Sequence, residues 1–170
     1  MSSIVVSGDT SGAITIAAPA VAGTNTLTLP ALTGTMQING PTFSYYQSSN
    51  QTLSSGTLTK ITFTTSEWDT TSGMYSSSRF TPTIAGYYQV NAGVAAGVSA
   101  GNNYVTVYKN GSLYKLGNQG GTAGNNTVSV LVYLNGSTDY IEIYASFAVG
   151  QATYANSAYT YFQSSMVRGA

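Results

Sequence analysis

No window of eleven or more residues in this chain spaces apolar side chains three and four apart, so the sequence offers no face on which a helix could rest. Ser, Thr, Gly and Asn interrupt every longer apolar run. What recurs instead is apolar alternation with a period of two, broken at short intervals by turn residues. That combination confines the chain to an all-β sandwich or barrel. Its 170 residues are enough for a core, since a domain of about 150 residues hides about 68–70% of its unfolded surface.

The segment NNYVTVYKNGSLYKLG (102–117) sets Asn110-Gly111 between two alternating runs. Both residues tolerate positive φ, as the two central positions of a tight hairpin turn require, so a hairpin is predicted here. The segment NTVSVLVYLNGSTDYIEIYASF (126–147) repeats the pattern with a longer connection from Asn135 to Thr138. It puts Val128, Val130, Val132 and Leu134 on one face. In its return strand Ile141 and Ile143 oppose Tyr140, Glu142 and Tyr144. Further strands are expected near 43–47, 58–64, 87–95 and 159–167.

Charge is scarce: five basic and five acidic residues make up 6% of the chain, against about 25% in an ordinary soluble domain. No basic patch exists to hold a nucleic acid. The 22 Ser, 24 Thr, 12 Asn and 7 Gln must hydrate the surface instead, which leaves salt little to screen. Sheet edges without lysine lack one usual guard against edge pairing, and burial in an oligomer would remove that hazard. Neither Cys nor His occurs, which excludes disulfides, thiolate nucleophiles, imidazole bases and the usual zinc or haem ligands. The start, MSSIVVSGDTSG, does not read as a signal peptide, and VNAGVAAGVSAG (90–101) is too short and too polar to span a bilayer, so no membrane insertion is expected.

A boundary is expected near Asn39-Gly40-Pro41. Residues 1–40 contain no aromatic, whereas residues 41–170 hold all 14 Tyr, 5 Phe and the single Trp. Within the first segment, AITIAAPAVAGTNTLTLPALTGTM (13–36) offers two short alternating strands, ITI and LTL, each followed by a proline. Each has one apolar face and two unpaired edges, which is not stable alone. Such a segment must dock on sister copies or on a larger assembly.

Two carboxylate pairs, Glu67 with Asp69 and Asp139 with Glu142, are the candidates for glycoside hydrolysis, which needs two carboxyls about 5–9.5 Å apart. Strand parity turns Asp139 and Glu142 to opposite faces, and no catalytic, metal-binding or cofactor-binding residue is assigned. Asp69 with Thr70 and Thr71 falls short of the six to eight oxygens of a calcium site. GNQGGTAGNN (117–126) lacks the Lys-Ser/Thr of a phosphate loop and reads as a loop at one end of the domain. Trp68, taken as a loop residue, is the best single candidate for a sugar platform, and Asn118 and Gln119 join it as candidate ligand contacts. The plainer reading of Trp68 is a half-buried loop anchor.

The run ITFTTSEWDTTSGMYSSSRFTPTIAGYYQV (61–90) carries Phe63, Tyr75, Phe80, Pro82, Ala85, Gly86 and Tyr88, followed by VYKNG (107–111) and YFQSSMV (161–167). In this order the landmarks resemble the globular heads of complement collagen-like proteins and the tumour necrosis factor superfamily, over Phe43 to Val167. The stretched Gly136-Ser137-Thr138-Asp139 and the serine at 164 depart from that pattern. The resemblance implies a C-terminal jelly-roll β-sandwich assembled as a homotrimer. It also places Tyr45, Tyr46, Tyr87, Tyr88, Tyr140, Tyr144, Tyr159 and Tyr161 in one sheet. Parity then assigns Tyr88, Val90, Ile141, Ile143 and Phe162 to the core, and Tyr45, Tyr87, Gln89, Tyr140, Glu142 and Tyr161 to the trimer interface.

The first segment, through Gly12, Ile14, Ile16, Ala18, Pro19, Ala22–Thr26, Leu29, Pro30 and Thr33–Thr35, resembles a recurrent N-terminal element of bacteriophage virion proteins. This resemblance implies an extended β arm that attaches to the virion through Ile14, Ile16, Pro19, Leu27, Leu29 and Pro30. Together the two imply a non-enzymatic trimer on the virion surface, bound to a major capsid protein or to a tail or baseplate protein. A capsid decoration or cement protein and a tail fibre recognising a host-surface glycan or protein are both open. A secreted binding head is the competing class.

Overall fold

The computed structural model describes residues 3–8, 10–17, 20, 21, 23, 24, 26, 40–97, 101–120 and 124–170. The chain divides into two units, Met1–Gly34 and Thr35–Ala170. In the first, β1 (Ser3–Ser7) pairs antiparallel with β2 (Ala13–Ala17). The Gly8 N–H donates to the Gly12 carbonyl at 3.0 Å to close the turn, and Gly12 takes φ 78°, which suits a residue without Cβ. The ITI strand therefore has one partnered edge, where the sequence alone suggested two free ones. The LTL strand, with Leu27 and Leu29, and both Pro19 and Pro30 lie outside the described residues.

The second unit is an antiparallel sandwich. Its strands are β3 (Thr42–Tyr46), β4 (Thr52–Leu53), β5 (Thr59–Lys60), β6 (Thr65–Asp69), β7 (Tyr75–Ser76), β8 (Arg79–Phe80), β9 (Gly86–Ala95), β10 (Asn103–Lys109), β11 (Ser112–Gly120), β12 (Asn125–Leu134), β13 (Ile141–Ser146), β14 (Gln151–Ala152) and β15 (Tyr161–Gly169). One sheet runs β12-β9-β15-β3-β6. The other runs β11-β10-β13-β8-β7, with β5 also on β13, and β4 and β14 pair separately. The chain alternates between the sheets, which is the jelly-roll path.

The core follows from alternation. In β9, Tyr88, Val90, Ala92 and Val94 point inward, as do Ile141, Ile143 and Ala145 in β13, Val105 and Val107 in β10, and Phe162 in β15. Fully burying such a side chain contributes about 1.5–3 kcal/mol. Phe43 packs edge-on to Phe162 at 5.0 Å and tilted on Phe80 at 4.9 Å, which ties the two sheets together. All five residues assigned to the core by parity are buried.

Asn110 and Gly111 take φ 52° and 77°, so the predicted hairpin closes β10 onto β11 through the expected turn. The second predicted hairpin does not form. The strand β12 pairs with β9, and β13 pairs with β10 in the opposite sheet, so the 135–140 connection crosses the sandwich. Residues 117–120, read as part of a loop, belong to β11.

The exposed edge of β12 is met by side chains from the other sheet. The Lys109 Nζ donates to the Tyr133 carbonyl at 2.7 Å, and the Thr127 N–H donates to Asn118 Oδ1 at 2.5 Å. A Cβ on Gly117 would stand 2.3 Å from the Thr127 carbonyl oxygen, so glycine there permits the close approach. These contacts occupy edge groups that would otherwise invite another strand.

Candidate functional site

The outward face of the β12-β9-β15-β3-β6 sheet is built by register. Tyr46, Tyr161, Gly93 and Thr127 form one row across it, and Ser44, Gln163, Asn91 and Ser129 the next. Thr42, Ser165, Gln89 and Leu131 form the third row, and Tyr87 and Tyr133 sit side by side in the last.

The second row is a ladder of side-chain hydrogen bonds that ends on the Glu67 carboxylate. Ser44 Oγ donates to Glu67 Oε2 at 2.6 Å and accepts from Gln163 Nε2 at 3.0 Å. Across β9, Ser129 Oγ donates to Asn91 Oδ1 at 2.8 Å, and Gln89 Nε2 donates to Ser129 Oγ at 3.0 Å. Tyrosines flank this ladder at both ends. The Tyr87 and Tyr133 rings lie 5.4 Å apart and are each about 40% exposed, at 41% and 42%. Leu131 beside them is 50% exposed. The face is therefore polar along its middle, with the Glu67 carboxylate at one side, and aromatic at its ends, where Arg168 is in register with Tyr87. Its tyrosines match protein interfaces, which are enriched in Tyr.

Of the residues assigned to an interface, Tyr87, Gln89 and Tyr161 share this face. Tyr45 does not. It follows Phe43 by two positions, so its ring turns to the core side, stacks on Tyr75 at 3.9 Å and donates through its hydroxyl to Asp69 Oδ2 at 2.7 Å. Tyr140 and Glu142 belong to the opposite sheet, since β13 pairs with β10, β8 and β5.

There Glu142 is 2% exposed and its Oε1 accepts from Lys60 Nζ at 2.6 Å and from Arg79 Nε at 2.8 Å. Burial pushes its pKa up, but the bonds from Lys60 and Arg79 prevail and hold it below the ordinary glutamate value. The Arg79 guanidinium lies 3.9 Å over the Tyr140 ring, and Tyr144 stacks on Tyr108 at 4.1 Å. Of the eight tyrosines placed in one sheet, Tyr140 and Tyr144 are thus in or beside the other, and Tyr159 lies in a turn.

Trp68 is on a strand, not in a loop. A bulge in β6 opposite Ser44 and Tyr45 turns both Glu67 and Trp68 toward Ser44 and Thr42, where Trp68 Nε1 donates to Thr42 Oγ1 at 3.5 Å. Asn118 and Gln119 sit on β11, at the opposite edge and the opposite end of the sandwich. The three candidate ligand contacts are not brought together, and Asn118 is occupied in holding the edge of β12.

Each of the four carboxylates in the second unit has its own partners. Asp139 accepts from Asn110 Nδ2 at 2.7 Å and pairs with Lys109 Nζ at 2.9 Å, chiefly through the former holding its pKa low. Burial raises Asp69, but hydrogen bonds from Thr71 and Tyr45 win and lower it. Among the described residues no group of three or more acidic side chains could hold a metal ion, and no helix is long and apolar enough to cross a membrane.

The sandwich has the jelly-roll fold of tumour necrosis factor-like and complement-globular-head domains. Murine APRIL superposes with a TM-score of 0.63 at 9% identity, over 76% of this chain and 100% of that one. The globular domain of zebrafish complement 1qA gives 0.56 at 12% identity, over 78% and 100%. PRD1 vertex protein P5 gives 0.55 at 17% identity, over 75% and 94%. No protein-family model and no curated protein sequence matches the chain.

Proposed function

We propose that this chain is a non-enzymatic structural protein of a phage virion, a homotrimer on the particle surface that is attached through its first unit and exposes its jelly roll. The observation that carries the reading is the β1–β2 hairpin. Ile4, Val6, Ile14 and Ile16 share one of its faces and are 66%, 56%, 73% and 50% exposed, so four β-branched side chains meet water. A patch of this kind marks a surface awaiting a partner. A major capsid protein, or a tail or baseplate protein, is the partner proposed.

The trimer is proposed through the outward face carrying Tyr87, Gln89 and Tyr161, whose flanking tyrosines suit burial against copies of itself. The likeness of the fold to a vertex protein of phage PRD1 supports a place on the particle surface. Sedimentation velocity of the purified chain tests the trimer. Immunogold labelling of virions tests the placement: gold over the whole head supports a decoration or cement protein, gold at a tail tip a fibre, and unlabelled particles overturn the reading. A receptor-binding fibre is the second reading, favoured by the tyrosine cleft described next.

A further inference from the structure

At the end of the sandwich opposite Thr42, where the chain enters it, a cleft of about 290 Å³ is lined by Ala95, Ala96, Gly97, Gly124, Asn125, Tyr154 and Tyr159. None of these side chains is charged. The two tyrosines meet edge to face at 5.4 Å, yet each remains about half exposed, at 49% and 46%. The loop that carries them holds them out.

That loop is fixed by its own hydrogen bonds. The Tyr154 N–H donates to the Ala95 carbonyl at 2.9 Å, and the Gly97 N–H donates to the Ala152 carbonyl at 3.0 Å. Thr160 Oγ1 donates to the Tyr154 carbonyl at 2.7 Å and accepts from the Ala95 N–H at 3.2 Å. The Ala155 N–H is held by Asn50 Oδ1 at 2.9 Å. The rings are thus presented on a rigid support, which lowers the entropy lost when something binds. Beside them Asn125 Oδ1 is shielded from water and has no hydrogen-bond partner among the described residues. Only the Nδ2 side of that amide is left to reach a ligand, and its N–H groups can donate to a sugar hydroxyl.

We propose that this cleft binds a neutral sugar ring of a surface glycan, the C–H face of the pyranose resting on one of the two tyrosine rings, the other, turned 70° to it, bounding its edge, and a hydroxyl accepting from the Asn125 Nδ2. The absence of charged lining selects against an anionic ligand. The volume lies at the small end of ligand sites, so it holds one or two sugar units and not a long chain. The inference rests on the virion-surface reading only in taking this end as the outward one.

The test is an NMR titration of the isotope-labelled full chain with methyl β-galactopyranoside, methyl α-glucopyranoside and N-acetylglucosamine, with N-acetylneuraminic acid as the charged control. Saturable shifts with at least one neutral sugar are expected at the amides of 95–97, 124–125 and 154–160. Tyr154→Ala weakens that binding about tenfold, as the loss of one aromatic contact implies. No saturable shift with any neutral sugar, shifts elsewhere on the protein, or binding of the charged sugar alone overturns the proposal. Sedimentation of the same samples separates the two readings: a monomer that binds sugar overturns the trimer and leaves the site, and a trimer that binds none does the reverse.

Discussion

Tyr161 lies across the strand position of Gly93, and a Cβ at residue 93 would come within 2.7 Å of its Cε1 atom. The same Cβ would stand 2.9 Å from Asn125 Oδ1, so the absence of a side chain at 93 sets the Tyr161 ring on the outward face and the Asn125 amide beside it. Gly93→Ala must displace both. It is expected to cost about 1–3 kcal/mol, the usual penalty of overpacking, and, in the trimer proposed above, to shift the assembly toward monomer. Urea unfolding and sedimentation at matched concentration check the two effects.

Glu142 joins β13 to both β5 and β8 through a single oxygen. Lys60 and Arg79 keep 30% and 44% of their side-chain surface in water, so both cations rehydrate when the carboxylate is removed. Glu142→Gln is therefore expected to cost about 1–2 kcal/mol, below the range for a fully buried pair. Because the folded protein lowers this pKa from 4.5, the contribution is complete above that value and is lost as pH falls through the lower folded one. The variant should flatten the acid limb of the stability curve, as followed by thermal unfolding across pH.

Ser77 and Ser78 form the two-residue turn between β7 and β8 with φ 51° and 57°, a left-handed pair without glycine. Ser78 Oγ accepts from the Phe63 N–H at 2.8 Å, which explains why that position is a buried serine. Ser77 is exposed and has no such reason. Ser77→Gly should raise stability by about 0.5–1 kcal/mol, and Ser77→Val should lower it by about 1–2 kcal/mol, in urea titrations.

Charges on the apolar face of the hairpin separate attachment from folding. Ile14→Asp with Ile16→Lys should leave the melting temperature of the jelly roll unchanged, since these residues belong to the other unit. Incorporation into particles, measured by immunoblot of purified virions from a complemented deletion strain, should fall at least about tenfold, as the loss of two buried aliphatic contacts implies. Unaltered incorporation would remove the hairpin from the attachment role.

Much of the fold was legible because its cause is local. Asn110 and Gly111 select their turn from two residues, and the alternation of Tyr88, Val90, Ile141, Ile143 and Phe162 selects a buried side from one strand at a time. The same rule assigns Tyr45 to the core once Phe43 is recognised there, although a tyrosine on that strand invites an interface reading. Parity also groups Tyr140, Glu142 and Tyr144 correctly on one face. What it does not contain is the sheet to which that face belongs.

The sequence by itself determined an all-β chain, the inward residues of its long strands, and a first segment without a core. Only the tertiary structure decided that β12 and β13 part company across the sandwich, that pairing with β3 makes Trp68 a strand residue, and that Tyr154, Tyr159 and Asn125 converge at one end. The reason is range: turns and side-chain alternation are fixed within a few residues, whereas the choice between β9 and β13 as the partner of β12 rests on contacts between segments far apart in the chain.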